Sequence, residues 1–192
     1  MIAIVKYNAG NITSVQNAIE RLGYSCLVTD DESILKLAEK VILPGVGEAS
    51  SAMHYLKEKG LDEVIKNLTQ PVLGICLGQQ LLCQFSEEGN TQCLGIFDAT
   101  VKKFLPKLKV PHMGWNTIFN TDSKLYQGIS AGENFYFVHS YYSEISIETT
   151  AICDYIVPFS ASMQKNNFYS TQFHPEKSSH EGEKLLLNFL KL

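Results

Sequence analysis

The 192 residues carry a formal net charge of −4, with 45% hydrophobic and 19% charged residues, a composition that suits one globular domain with a sizeable core and argues against a nucleic-acid-binding surface. No apolar run approaches the roughly 18 residues that cross a bilayer, Met1 to Val5 has no basic region ahead of a long apolar stretch, and five cysteines form an odd count without a Cys-x-x-Cys; a cytoplasmic chain without structural disulfides is expected. Histidines 54, 112, 139, 174 and 180 lack zinc-ligand spacing, so no metal or other cofactor is indicated.

In chain order, residues 2–5 predict a strand and residues 13–22 a helix, capped by Asn11 or Thr13, with Val15, Ala18, Ile19 and Leu22 as its buried stripe. A strand over 25–28, a strand over 40–43 and a helix over 50–59 follow. A strand over 72–75 and a helix running to about residue 85 close the first half. Strands that alternate with helices predict a parallel sheet. From Leu94 to Phe173 the pattern becomes strand-rich, interrupted by a polar connection over 120–132, and an amphipathic helix over 181–190 ends the chain.

The apolar run 71–75 breaks abruptly at Gly74-Ile75-Cys76-Leu77-Gly78-Gln79-Gln80. A strand that ends in a cysteine framed by glycines and followed by helix formers reads as a nucleophile elbow, with Cys76 at a helix N-terminus. A Cβ at 74 or 78 would crowd such a turn. A helix N-terminus favours anionic groups, and a thiolate is the species that attacks a carbonyl carbon. Cys26, Cys83, Cys93 and Cys153 lack the glycine frame and read as packing residues.

Far downstream, a strand over 168–173 runs into His174-Pro175-Glu176. A cysteine that attacks an amide needs an imidazole to move protons and a carboxylate to orient it. Two residues apart in extended chain, His174 and Glu176 would project from the same face. His139 is a rival base, ranked lower for want of a carboxylate at that spacing. The loop Pro44-Gly45-Val46-Gly47 lies at the carboxyl end of a predicted strand, where open parallel sheets place ligand loops. Its NH groups, with that of Leu77, could serve a developing oxyanion.

Gly74-x-Cys76-x-Gly78-x-Gln80 and Phe173-His174-Pro175-Glu176 together resemble the two signatures of class I (triad) glutamine amidotransferases, and the resemblance spans the chain. It implies a single flavodoxin-like α/β domain over residues 1–192, with a mostly parallel central sheet flanked by helices and a strand-rich addition in the second half. It implies glutamine hydrolysis through a thioester on Cys76, with His174 and Glu176 completing the triad. The oxyanion donors would be Leu77 and Val46 or Gly47. Gly45, Gln80, His139, Ser140 and Tyr141 would contact substrate.

Five further segments, Tyr7-Asn8-Ala9-Gly10-Asn11, Pro44 to Gly47, Val110 to Asn116, Tyr136 to Tyr141 and His174 to Ser178, resemble the glutaminase subunits of imidazole glycerol phosphate synthases. Lys6 departs from the pattern, where an acidic or small residue is expected. This resemblance implies a heterodimer in which ammonia passes to a (β/α)₈ cyclase subunit, with Asn11, Trp115, Tyr136 and Lys177 at the contact surface. Trp115 and Tyr136 could equally be core aromatics. The alternatives are the pyridoxal phosphate glutaminase, which shares the triad, and a binding partner whose hydrolysis is vestigial.

Overall fold

The computed structural model describes residues 1–7 and 10–192; Asn8 and Ala9 of the first loop signature lie outside the described residues. Among the described residues thirteen strands are formed: β1 (Ile2–Val5), β2 (Cys26–Thr29), β3 (Lys40–Leu43), β4 (Val72–Ile75), β5 (Phe85–Ser86), β6 (Thr91–Gln92), β7 (Thr100–Lys103), β8 (His112–Phe119), β9 (Asn134–His139), β10 (Tyr141–Ser143), β11 (Thr149–Tyr155), β12 (Val157–Lys165) and β13 (Phe168–Thr171). Six α-helices accompany them: α1 (Ile12–Arg21), α2 (Glu32–Leu37), α3 (Ala49–Glu58), α4 (Leu61–Lys66), α5 (Leu77–Leu82) and α6 (Ser179–Leu190).

Nine strands form one mixed sheet in the order β2-β1-β3-β4-β13-β12-β11-β8-β9. The first five run parallel, which is the flavodoxin-like order. The remaining strands continue antiparallel through β12, β11, β8 and β9. The strand-rich second half therefore mostly extends the central sheet. A small sheet, β10-β7-β5-β6, stands apart from it.

A parallel strand covered on both faces is apolar throughout, because both sets of alternating side chains are buried. Accordingly every residue of β1 and β4 is buried. Ile2 and Ile4 point into one core with Val15, Ala18 and Ile19 of α1 and Leu185, Leu186 and Phe189 of α6. Ala3 and Val5 point into the other, against Leu35 of α2, Leu56 of α3, Ile65 of α4 and Leu81 of α5. Of the stripe predicted over 13–22, Val15, Ala18 and Ile19 are buried as expected, whereas Leu22 is the C-cap of α1 and only half-buried.

The short helices α2 and α4 were not foreseen from the sequence. Each is six residues long, less than two turns, too little for a hydrophobic period to register. The Asp31 side chain holds α2 by accepting from the backbone N–H groups of Ser33 and Ile34. Asn11 does stand at the N-cap of α1, but its side chain makes no capping bond. It is used elsewhere.

Candidate active site

The carboxyl ends of β1, β3, β4 and β13 meet at one crevice, the ligand-binding edge of an open α/β sheet. Cys76 sits where β4 stops and α5 starts, with φ 52° and ψ −104°, a strained backbone for a residue bearing a Cβ. Two features hold it there. The Cys76 N–H donates to the Thr171 carbonyl of β13 at 2.7 Å. Gly78 brings α5 against β3 so closely that a Cβ on it would lie 1.9 Å from the Leu43 carbonyl oxygen, and a Cβ on Gly74 would meet the Gly78 backbone at 2.8 Å. The glycine frame read from the sequence is thus a demand of helix-on-strand packing. Gln79 pins the same helix from below: its Nε2 donates to the Ser160 carbonyl at 2.9 Å and its Oε1 accepts from Ser170 Oγ at 3.0 Å.

His174 Nδ1 lies 2.8 Å from Glu176 Oε1, and the two side chains are 1% and 0% exposed. The pairing is the one the spacing predicts, but the local geometry is not. β13 ends at Thr171, and residues 175–177 form a 3-10 turn, because the proline at its first position suits a helical start. The turn, rather than an extended strand, folds the carboxylate back onto the imidazole. β9 straps this loop in place: His174 N–H donates to the Tyr136 carbonyl at 2.9 Å, and Ser178 Oγ bridges the Tyr136 N–H and the His174 carbonyl.

His174 faces the Cys76 sulfur, although its Nε2 has no partner in full hydrogen-bonding geometry. Burial alone would lower its pKa. The thiolate charge and hydrogen-bonding capacity of Cys76, joined by Glu176, outweigh burial and lift it to about 10. Imidazolium is therefore the form favoured beside a thiolate. Asn11 Nδ2 donates to Glu176 Oε1 at 2.7 Å, so this residue, expected at a partner surface, also touches the carboxylate that orients His174.

A cavity of about 250 Å³ opens over the sulfur, lined by Val46, Gly47, Cys76, Leu77, Gln80, Glu88, Pro111 and residues 138–141. Of the residues expected to contact substrate, Gln80, His139, Ser140 and Tyr141 line this cavity and Gly45 does not. Both donor bonds of Gln80 Nε2 are internal, to the Tyr141 carbonyl at 2.9 Å and to Gln172 Oε1 at 3.1 Å. Its oxygen is the atom left for a ligand. Glu88 was missed. It lies in a short polar turn with no motif around it, and burial raises its pKa against the pull of the Ala49 N–H, to which its Oε2 is bonded at 2.8 Å.

The Pro44–Gly47 loop does not present a free oxyanion donor at Leu77. The Leu77 N–H donates to the Gly45 carbonyl at 3.2 Å, and the Val46 N–H lies 3.5 Å from the Gly10 carbonyl. Tyr7 OH holds the loop through the Pro44 carbonyl. Gly45 has φ of 147°, a region open to glycine, so on the Gly45 side the Gly45–Val46 peptide can turn over without a side-chain penalty.

His139 is not a second base. Its Nδ1 donates to the Tyr141 carbonyl at 2.7 Å and its Nε2 lies 3.1 Å from His112 Nδ1. Burial above all, with the charges of His112 and His174, draws its pKa down to about 3 against a lift from the Tyr141 carbonyl. It stays neutral and braces the cavity wall. On the outer face, Trp115 is 54% exposed and meets Tyr136 edge-to-face at 6.1 Å, so these aromatics are not core, and Lys177 is exposed nearby in sequence to the triad.

The family model for Glutamine amidotransferase class-I matches residues 4–192. The chain is 59% identical to "Imidazole glycerol phosphate synthase subunit HisH" of Bacteroides fragilis, a match that covers 100% of this chain and 99% of the relative. It is 48% identical to the protein of that name from Escherichia coli K12, with the same coverage. A putative GMP synthase subunit from Thermoplasma acidophilum superposes with a TM-score of 0.77 at 20% identity, over 100% of this chain and 92% of that one; this likeness concerns the fold.

Proposed function

This chain belongs to the class I glutamine amidotransferase family, and we propose that it is the glutaminase of an imidazole glycerol phosphate synthase, with residues 1–192 as its amidotransferase domain. It hydrolyses glutamine to glutamate and ammonia. The ammonia goes to a (β/α)₈ cyclase subunit, which joins it to a phosphoribulosyl ribotide and yields imidazole glycerol phosphate and an aminoimidazole carboxamide ribotide for histidine biosynthesis. No described helix is long and apolar enough to cross a membrane; the cytoplasm is the proposed location.

The observation that carries the chemistry is the buried His174–Glu176 pair, 2.8 Å apart, facing a cysteine on a strained elbow. Glutamine enters the cavity with its α-ammonium group toward Gln80 Oε1 and the Glu88 carboxylate, and contacts the backbone of 139–141. The Cys76 sulfur donates an electron pair to the side-chain carbonyl carbon, and the negative charge moves to the carboxamide oxygen. After the Gly45–Val46 peptide turns, the N–H of Leu77 is released, and with that of Val46 or Gly47 it stabilises this oxyanion. Such donors are worth about 3–4 kcal/mol each. The His174 imidazolium protonates the departing nitrogen, the C–N bond breaks, and ammonia leaves a γ-glutamyl thioester on Cys76. His174, now neutral, takes a proton from water as it attacks the thioester, and glutamate is released with the thiolate restored.

Free ammonia is mostly protonated at neutral pH and is then no nucleophile, which is why direct delivery to a partner suits the chemistry. The exposed Trp115 with Tyr136, and Asn11 and Lys177 on either side of the Glu176 turn, are the proposed contact and coupling surface. Glutamate release in the presence and absence of the ribotide-loaded cyclase tests the function. A large stimulation is expected; equal rates, or stimulation by a pyridoxal phosphate synthase barrel instead, would refute it.

A further inference from the structure

Gln172 is fully buried directly after β13, two residues before His174, and it is neither one of the three proposed triad residues nor part of the cavity lining. The oxygen and nitrogen of an amide are told apart by their partners, and here a chain of partners fixes both. The Tyr141 carbonyl can only accept, and Gln80 Nε2 lies 2.9 Å from it, so that end of Gln80 is its NH₂. The same nitrogen faces Gln172 at 3.1 Å, so the Gln172 atom there must be the oxygen. The other end of Gln172, 3.6 Å from the Cys76 sulfur, is therefore its NH₂. Reversing Gln172 would set two donors against each other and aim an oxygen lone pair at the sulfur.

We propose that Gln172 is a further catalytic residue, whose Nε2–H hydrogen-bonds the Cys76 sulfur and holds it as the thiolate before attack. The inference rests on Cys76 as the nucleophile. A donor aimed at the charged form of an acid favours that form, and it counts for more where water is excluded. The Val138 carbonyl oxygen, 3.8 Å from the same sulfur, can accept from a thiol and so favours the opposite form. Gln172 offsets that preference and complements the His174 imidazolium. During attack the sulfur loses its charge as the S–C bond forms, so the Gln172 bond acts on the supply of thiolate rather than on the tetrahedral state. Its effect is therefore large where thiol would otherwise prevail and fades at high pH.

The test is peptide-resolved alkylation of Cys76 by iodoacetamide between about pH 5 and pH 10, in the wild-type chain, in Gln172→Met and in Gln172→Asn. Methionine keeps the length and removes the N–H; asparagine keeps an amide that is too short to reach. Iodoacetamide does not need Gln80 to bind, so a disturbed Gln80 does not enter the readout. The midpoint is expected to rise by about one pH unit in both variants, a tenfold loss of reactivity below it, with rates converging at high pH. The kcat for glutamine, measured with the cyclase subunit, should fall about tenfold at neutral pH and recover as pH rises.

An unchanged midpoint in either folded variant overturns the proposal; should the methionine variant not fold, the asparagine variant reads the same quantity. Failure of the nucleophile assignment is separate. It would appear as wild-type enzyme whose Cys76 resists an electrophilic glutamine analogue.

Discussion

Gly78→Ala tests how the fold sets the nucleophile. The added methyl would lie 1.9 Å from the Leu43 carbonyl oxygen and 2.9 Å from its carbon. These are backbone atoms of a central strand, with β1 and β4 as neighbours on either side, and they cannot rotate away. Restoring even a 3.0 Å contact requires α5 to withdraw by about 1 Å. Cys76 is the first residue before α5, so it moves with the helix, while His174 stays strapped to β9. A displacement of about 1 Å costs on the order of 100-fold in rate, and overpacking costs about 1–3 kcal/mol of stability, or several degrees in Tm for a chain of this size. The assay is kcat for glutamate release in complex with the cyclase, with thermal unfolding in parallel. Gly132→Ala is the control for backbone strain without a clash: nothing lies within 4 Å of the added carbon, but its φ of 87° strains an alanine, so it should lose stability and keep kcat. Wild-type turnover by Gly78→Ala would refute the reasoning.

Asn11→Ala removes the 2.7 Å bond to Glu176; glutaminase kcat should fall roughly tenfold, the usual worth of a hydrogen bond to a charged group, and an unchanged kcat would deny Asn11 any part in orienting the triad. Trp115→Ala should weaken cyclase binding by about 2 kcal/mol, as for an exposed aromatic anchor, and leave Cys76 alkylation by iodoacetamide unchanged; titration calorimetry reads the first and mass spectrometry the second. Stability should fall on mild acidification. Burial draws His112 to about 4 and His139 to about 3 from 6.5, so the unfolded chain takes up protons that the folded chain refuses. Their stabilisation is complete above about pH 6.5 and drains as pH falls toward those values, at about 1 kcal/mol per pH unit for His139 alone. His174 has the opposite sign: lifted to about 10, it stabilises fully below about 6.5 and loses this progressively as pH rises from there to about 10. Its contribution leaves the acid window flat. Denaturant midpoints at pH 6.5 and 5, a window in which His174 is flat, measure this for wild type and His112→Gln, and a wild-type protein equally stable at both would contradict it.

The proposed triad was legible because its residue types and flanking glycines are local. A cysteine between Gly74 and Gly78 and a histidine two before a glutamate each carry their chemistry on a few adjacent positions. The parallel half of the sheet was legible too, since strands buried on both faces are apolar without interruption. The order β13-β12-β11-β8-β9 was not: β11–β12 and β12–β13 are local hairpins, but the β11–β8 pairing skips β9 and β10, and no local pattern encodes it. The Gly45 carbonyl lying on the Leu77 N–H could not be read either, since glycine leaves the peptide orientation open. Glu88 and Gln172 were hidden for a further reason. A carboxylate in a polar turn and an amide in a strand end look ordinary until the fold brings one to the cavity and the other to the sulfur.

The central claim, that Cys76 attacks a carboxamide with help from the His174–Glu176 pair, is tested most directly by exposing the chain to an electrophilic glutamine analogue and mapping the adduct in wild type, His174→Ala and Glu176→Gln. The account predicts one adduct, on Cys76, formed rapidly in the wild type and at least tenfold more slowly in both variants. Modification of Cys26, Cys83, Cys93 or Cys153 instead, or labelling of Cys76 at an undiminished rate without the imidazole, would contradict it.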